Sequence, residues 1–331
     1  MTSIPPTTQL DIELAHAEAG LRMRRGESLT RRSLRRLLRK RLAVICLVLI
    51  VAFYVCAAFA PLIAPYGYAE QNLDHSFDGP SWSHPLGTDR LGRDTLSRNI
   101  YAARTTTVVT LATVATGFVV LPVVFGMLAG YRGGWLDALI NRSGEVLASI
   151  PGLPMLVLIT ATMRPRFVRW ISDFGDAVHW HGLSSSGFAD YFLIFGVLSL
   201  FGWVGGARLI RAQVLTLRNS EFIIAAEASG ATTPRILWQH ILPNIMPLIV
   251  VGASAALGGI ALSEIGLTFL GVGIQPPRPS FGALISDGAP RTVLENHPQL
   301  LIVPAAVVAA LIFAFNLLGD ALNDVFTSRA K

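Results

Sequence analysis

Five stretches of this chain contain no charged residue over at least 17 positions, and a sixth contains only one. A helix that crosses a bilayer core of about 30 Å needs about 20 apolar residues, and its backbone satisfies its own hydrogen bonds there. The pattern therefore predicts an all-α integral membrane protein with six transmembrane helices. The predicted spans are residues 42–64, 105–131, 146–163, 191–207, 245–270 and 299–319, and the single charged residue is Glu264 in the fifth span.

The composition excludes a wholly soluble protein. Hydrophobic residues make up 52% of the 331 residues and charged residues only 15%, with a mean hydropathy of +0.53. A soluble domain carries about 25% charged residues. The two cysteines, Cys46 and Cys56, lie about 15 Å apart along the first predicted helix, which is beyond the reach of a disulfide. We interpret them as small apolar side chains.

The positive charge is concentrated in front of the first span, because residues 22–41 contain ten of the 27 Lys and Arg residues. The positive-inside rule places this segment in the cytoplasm, and six spans return the C-terminus to the same side. Leu34, Leu37 and Leu38 share one face of the segment, which predicts a short helix lying on the anionic inner leaflet. A basic run beside a membrane span thus favours membrane lipid over nucleic acid as its partner.

The longest predicted cytoplasmic loop, residues 208–244, contains an interrupted pair of helices. We expect Ser220 to cap the first helix and Gly230, in the left-handed conformation, to end it. Thr233 is expected to cap the second helix with Pro234 at its first position, and Pro243 to close it. The apolar face of the second helix comprises Ile236, Leu237, His240 and Ile241. Two alternatives remain open: the helices dock in a groove of another protein, or they pack on their own bundle.

Glu264 is the one carboxylate inside a predicted span. Ionisable residues within a membrane are costly and face a cavity or pair within the bundle. Two roles stay open for Glu264: a counterion for a substrate amine in a translocation pathway, or a hydrogen-bonding group at a subunit interface.

A second charged group precedes the second span, where Asp89, Arg93, Asp94 and Arg98 alternate in sign at near-helical spacing. This pattern predicts a salt-bridged surface helix, with contact to a partner subunit as the alternative.

The chain lacks the residues of a nucleotide-hydrolysing or other catalytic site. A phosphate-binding P-loop needs a lysine directly after its glycines, and the two lysines, Lys40 and Lys331, do not follow a glycine-rich turn. No G-x-S-x-G or H-E-x-x-H pattern is present. His179 and His181 have the H-x-H spacing of some metal sites but lack nearby Cys or carboxylate ligands. We therefore predict no enzyme activity, no metal and no cofactor on this chain.

The cytoplasmic loop resembles a known motif. Ala225-Ala226, Gly230 and Leu242-Pro243 are similar to the E-A-A-x3-G-x9-I-x-L-P loop of ABC importer permeases, and residues 240–244, H-I-L-P-N, resemble its peptide and nickel branch. The glutamate that usually begins the motif falls on Ile224 here, and Glu227 lies one turn away as a substitute. Further resemblance covers residues 84–104 (beginning H-P-L-G-T-D), 131–136, 267–282 and 316–323, which together extend over most of the chain from residue 40. The predicted outer loop at 164–187 is longer than in that pattern.

This resemblance implies a type I ABC importer permease bundle in the inner (plasma) membrane of a prokaryote, importing peptides or similar small solutes. It implies a second homologous permease, two ATP-binding cassette subunits that carry ATP and Mg, and an extracytoplasmic solute-binding protein as partners. The residues that the resemblance assigns to coupling with the ATPases are Ala225, Ala226, Glu227, Gly230, Ile236, Leu242 and Pro243. A secondary transporter or channel is the alternative, but it would require coupling carboxylates or a selectivity ring, and one intramembrane Glu is poor support.

The predicted organisation follows from these assignments. Residues 1–41 form a cytoplasmic tail with the basic amphipathic segment, 42–64 the first transmembrane helix and 65–104 an extracytoplasmic segment. Residues 105–320 form the permease core with the coupling loop 208–244, and 321–331 form a second cytoplasmic tail.

Overall fold

The computed structural model describes residues 40–179 and 187–327, and in those ranges the regular elements are helices. The basic segment, His181 and the last residues of the C-terminal tail lie outside the described residues. The α-helices are α1 (Arg41–Ala58), α2 (Ala60–Ile63), α3 (Thr95–Thr113), α4 (Leu121–Arg132), α5 (Gly134–Ser149), α6 (Gly152–Ala177), α7 (Phe188–Arg218), α8 (Glu221–Ala228), α9 (Thr233–Arg235), α10 (Leu242–Phe269), α11 (Phe281–Gly288), α12 (Arg291–Asn296) and α13 (Gln299–Thr327).

Within residues 40–179 and 187–327, five helical runs are long and apolar enough to cross a membrane. They are Arg41–Ala58, Thr95–Arg132, Phe188–Arg218, Thr233–Phe269 and Gln299–Asp324. Two of these runs pass through π-helical turns, Val114–Val120 and Ile236–Ile241, that keep the helix continuous. Most runs extend beyond the predicted spans, because the charge-free pattern marks the hydrocarbon part of a helix and not its polar ends.

The predicted third span, 146–163, is not one straight helix. Its residues are divided between α5 and α6, which bend by 94° and form the sixth candidate span as a pair. Ile150 between them has extended backbone angles, as expected for a residue that precedes a proline, here Pro151. α6 then continues to Ala177, so most of the predicted outer loop at 164–187 is helix. Arg164, in the middle of α6, binds Asp190 near the start of α7 (Nε–Oδ1 2.8 Å).

Close helix packing in the bundle depends on small residues. α4 lies along α7, and a Cβ added at Gly126 or Gly130 would overlap Ile210 or Val214 of α7. Glycines at such positions let two helix backbones approach closely in a membrane protein. α10 packs against α13, which also contacts α1, and Cys46 and Cys56 of α1 are unpaired.

The charged residues around the start of α3 form a buried cluster and not the predicted surface helix. Asp89, Arg93, Asp94 and Arg98 are each 5% exposed or less. The Asp89 carboxylate accepts hydrogen bonds from Arg93 (Nε–Oδ2 2.7 Å) and from Arg98, which also binds Asp287 of α11 (Nη2–Oδ2 3.4 Å). The prediction was wrong because the helix begins only at Thr95, so Asp89 lies in a turn before the helix, where its side chain is buried. These side chains are covered within the chain, which leaves the alternative of partner contact without support.

Asp94 has a separate role at the start of α3. Its Oδ2 accepts a hydrogen bond from the Ser97 backbone N–H (2.7 Å), and its Oδ1 lies 3.0 Å from His84 Nδ1. An Asp in this capping position satisfies a backbone donor that has no partner within the helix. The segment before α3 is therefore tied to the bundle by both ion pairs and a helix cap.

Candidate functional site

The loop that the sequence predicts to be cytoplasmic begins where α7 ends at Arg218. Ser220 occupies the N-cap position of α8, as predicted, but its hydroxyl donates to the Leu217 carbonyl (2.5 Å) and does not cap α8. The Ser220 backbone N–H donates to the same carbonyl (2.9 Å), so both donors of Ser220 bind the last turn of α7. Glu221 lies in the first turn of α8, where a negative charge is favourable.

Gly230 makes the turn that ends α8, as predicted. Its φ is +78°, its N–H donates to the Glu227 carbonyl (2.9 Å), and the Ala231 N–H donates to the Ala226 carbonyl (3.0 Å). These two bonds are those of the Schellman motif, in which a left-handed residue closes a helix. No atom lies within 4 Å of a Cβ added at Gly230, so conformation and not space demands glycine here.

The second half of the loop differs from the prediction. The capping position is Thr232 and not Thr233, which places Pro234 second in the helix, and Thr232 makes no side-chain cap. Pro243 does not close the element, because the wide turn at Ile236–Ile241 leads directly into α10 with Pro243 in its first turn. A proline within a continuous helical run cannot donate a backbone hydrogen bond to the preceding turn, and the wide turn lies directly before Pro243, where that bond is missing.

One face of this loop is packed against the bundle. Ile223, Ile236 and Ile241 are buried with Leu237 in a cluster that includes Val123, Met127, Ile210, Val214 and Ile245. Full burial of one such side chain stabilises its position by about 1.5–3 kcal/mol. The Tyr131 hydroxyl at the end of α4 donates to Glu227 Oε1 (2.7 Å), and the Arg218 guanidinium lies over the Tyr131 ring.

The opposite face is exposed. Phe222 is 44% exposed, Ile224 is 55% exposed and Trp238 is 60% exposed. We call these three side chains the apolar tip. The two alternatives left open by the sequence thus describe two faces of one element: the isoleucines pack on the bundle, and the apolar tip remains for another surface.

The remaining residues of the motif differ in their solvent exposure. Ala225 and Pro243 are exposed, whereas Ala226 and Leu242 are half-buried. Glu227 is exposed but engaged by Tyr131, so its carboxylate has a partner within the chain. Ile224 contributes apolar surface where the motif usually has a charge.

Glu264 lies wholly inside the chain, with 0% exposure. Thr106 Oγ1 of α3 donates to its Oε2 (2.9 Å), and Thr268 Oγ1, one turn further along α10, donates to its Oε1 (3.2 Å). The carboxylate is thereby held between two helices of one chain. A role in a translocation pathway stays a prediction.

Sequence reasoning missed the threonine side of this contact. Thr106, Thr110 and Thr113 are buried on one face of α3, and the hydroxyls of Thr110 and Thr113 have no partner in the described part of the chain. The signal was present, because the spacing of these three residues is that of a single helix face within an apolar span. Tyr131 was missed because nothing in the local pattern pairs it with Glu227.

His179 is exposed at the end of α6, and its predicted companion His181 lies outside the described residues. Among the residues that the structure describes, no group of three or more His, Cys, Asp or Glu could hold a metal ion.

Comparison with known proteins supports this architecture. Residues 122–331 match the family described as binding-protein-dependent transport system inner membrane component. Residues 28–80 match the N-terminal transmembrane domain of oligopeptide transport permease C.

Individual relatives cover nearly the whole chain. It is 34% identical to the dipeptide transport system permease protein DppC of Bacillus subtilis over 92% of this chain and 87% of the relative. It is 34% identical to the oligopeptide transport system permease protein OppC of Haemophilus influenzae over 92% of this chain and 90% of the relative. It is 32% identical to the oligopeptide transport system permease protein OppC of Bacillus subtilis over 88% of this chain and 87% of the relative.

The match to the relatives covers about nine-tenths of the chain and does not favour the alternative of a secondary transporter or channel. With the match at 122–331 covering more than half of the chain, the protein belongs to the family of binding-protein-dependent transport system inner membrane components.

Proposed function

We propose that this chain forms half of the translocation pathway of an ATP-driven importer of peptides. Family membership supports the transport role, and the peptide substrate is inferred from relatives that are named as dipeptide and oligopeptide permeases. The observation that carries ATP coupling is the two-faced loop: isoleucines hold it on the bundle while the apolar tip stays uncovered.

The proposed partners are those that the family implies. This chain has no P-loop lysine of its own, and two ATP-binding cassette subunits would bind ATP and Mg and hydrolyse the nucleotide. A second homologous permease completes the pathway, and an extracytoplasmic solute-binding protein delivers the peptide. In this proposal the chain itself is a transport component and not an enzyme, and membrane lipid is a further partner.

The loop is mechanically joined to the membrane part. The run from Thr233 to Phe269 is one helical segment of 37 residues, which spans about 55 Å at 1.5 Å per residue. It leads from the apolar tip to the region of Glu264. When the ATPases close, a displacement of the apolar tip is carried along this run to the outer half of the bundle. Ile223 and the Tyr131–Glu227 hydrogen bond make α8 move together with α4.

Docking at the apolar tip is tested with Phe222→Asp, which places a charge where an apolar contact is expected. The variant should lose the ATPase subunits on purification while it keeps the second permease, because the permease contact lies between membrane spans. Phe222→Leu is the matched control and should retain both partners. If Phe222→Asp still co-purifies with the ATPases and transports peptide at the wild-type rate, the apolar tip is not the docking surface.

A further inference from the structure

A polar cavity of about 290 Å³ lies near the outer ends of the helices, on the side opposite the coupling loop. Four segments form it: the chain before α3, the part of α3 that begins at its second turn, the start of α7 and the chain after α10. Its polar lining consists of Tyr68, Tyr101, Arg104, Thr105, Tyr191 and Arg278. Two guanidinium groups thus line a cavity whose lining contains no Asp or Glu among the described residues, and Arg278 also takes part in a further interaction.

The lining offers hydrogen-bond donors. Arg104 makes no hydrogen bond or ion pair with any residue of 40–179 or 187–327, and the same holds for the hydroxyls of Tyr68 and Tyr101. The rings of Tyr68 and Tyr101 pack edge to face with their centroids 5.0 Å apart, which fixes both rings beside Arg104. These are donors without acceptors, gathered at one cavity.

The floor of the cavity is already ordered. Thr105 Oγ1 donates to the Pro279 carbonyl (2.8 Å), and the Tyr191 hydroxyl lies 3.2 Å from the same Oγ1. These bonds hold α3, α7 and the segment that carries Arg278 in one arrangement. The next residue, Thr106, donates to Glu264, so the cavity and the buried carboxylate share one turn of α3.

We propose that this cavity binds the free C-terminal carboxylate of the transported peptide at the outer end of the pathway, an inference that rests on the proposed function. A guanidinium fork matches a carboxylate geometrically and binds it through charge-assisted hydrogen bonds. The volume approaches that of small-molecule sites, about 300 Å³ and above, and exceeds what one acidic side chain of a docked protein would fill. A small solute with a carboxylate is therefore the occupant that fits.

The test uses the complete importer in proteoliposomes, with its solute-binding protein outside, and measures uptake of a radiolabelled dipeptide and ATP hydrolysis in the same preparation. Arg104→Gln and Arg278→Gln should each lower dipeptide uptake about tenfold or more, the scale of one lost charge-assisted hydrogen bond. Arg104→Lys should recover part of the uptake. Arg291→Gln is the matched control, because Arg291 is exposed on the same outer side and pairs only with Glu295 in α12.

ATP hydrolysis separates peptide binding from protein docking. We expect the Arg104→Gln importer to hydrolyse ATP when the loaded solute-binding protein is added, because docking is intact, while uptake fails. If stimulation of hydrolysis by the binding protein is lost in parallel with uptake, the cavity instead receives an acidic group of that protein, and the inference is overturned. Normal uptake by both Gln variants also overturns it.

Failure of the proposed function itself has a different signature. In that case the wild-type importer takes up no dipeptide, whichever residue stands at 104. Wild-type uptake with unaffected Gln variants leaves the proposed function standing and removes only the carboxylate site.

Discussion

The turn at Gly230 allows a graded test of ATP coupling through the loop. Gly230 has a φ of +78°, and no atom lies near an added Cβ, so substitution costs only the left-handed backbone conformation. That conformation costs an L-residue about 1–2 kcal/mol, which corresponds to roughly a 5–30-fold shift in the population of the turn. If the turn opens, the two hydrogen bonds of the Schellman motif are lost as well, at about 1 kcal/mol each.

Three substitutions separate conformation from size at this position. Gly230→Asn should behave almost as wild type, because asparagine visits the left-handed region readily. Gly230→Ala should lower substrate-stimulated ATP hydrolysis several-fold, and Gly230→Val, with a β-branched side chain, should abolish it or release the ATPase subunits. The assay is ATP hydrolysis and peptide uptake by the purified importer at matched membrane expression. All three variants should still co-purify with the second permease.

The order of the three variants is the diagnostic result. If Gly230→Val transports peptide as wild type does, the turn is not part of the coupling element. If Gly230→Asn fails as severely as Gly230→Val, the cause is the added side chain and not the backbone, which would contradict the open space around this position.

Three further predictions concern the rest of the molecule. Asp89→Asn breaks a buried ion pair and should destabilise the detergent-solubilised protein by about 3–5 kcal/mol in thermal unfolding, whereas Arg291→Gln in an exposed pair should change it by less than about 1 kcal/mol; equal effects would contradict burial of the cluster. Glu264→Gln replaces a buried carboxyl group by an amide and should lower peptide uptake if the carboxyl group contacts the transported solute, whereas unchanged uptake would reduce Glu264 to a hydrogen-bond acceptor for Thr106 and Thr268. Cysteines placed at Ser83 and Ser229 in a Cys46→Ser, Cys56→Ser background should react with impermeant reagents from opposite sides of the membrane, Ser83 from outside, and labelling of both from one side would refute the orientation.

Local signals in the sequence correctly predicted the features that depend only on residues close along the chain. Charge-free stretches located the apolar helices, and a glycine between two helical patterns located the turn at Gly230. The bend between α5 and α6 was also within reach, because Pro151 lies inside the predicted span and proline restricts the residue before it. The length of the apolar stretch outweighed that signal.

Contacts between distant segments could not be predicted. The Asp89 cluster was expected on a surface because its partner Asp287 lies far along the chain. The same holds for the outer cavity, where Tyr68, Tyr191 and Arg278 come from three separate regions. The wide turn at Ile236–Ile241 leaves no signature in the hydrophobic pattern, which is why Pro243 was expected to end a helix that in fact continues.

The buried cluster also sets an order for biogenesis. Arg98 and Asp287 are 189 positions apart, so the link between α3 and α11 can form only after α11 has been synthesised. The pairs of Asp89 with Arg93 and Arg98 join residues at most 9 positions apart, so they can form earlier. Attachment of the cluster to α11 is therefore a late step that follows the synthesis of nearly the whole chain.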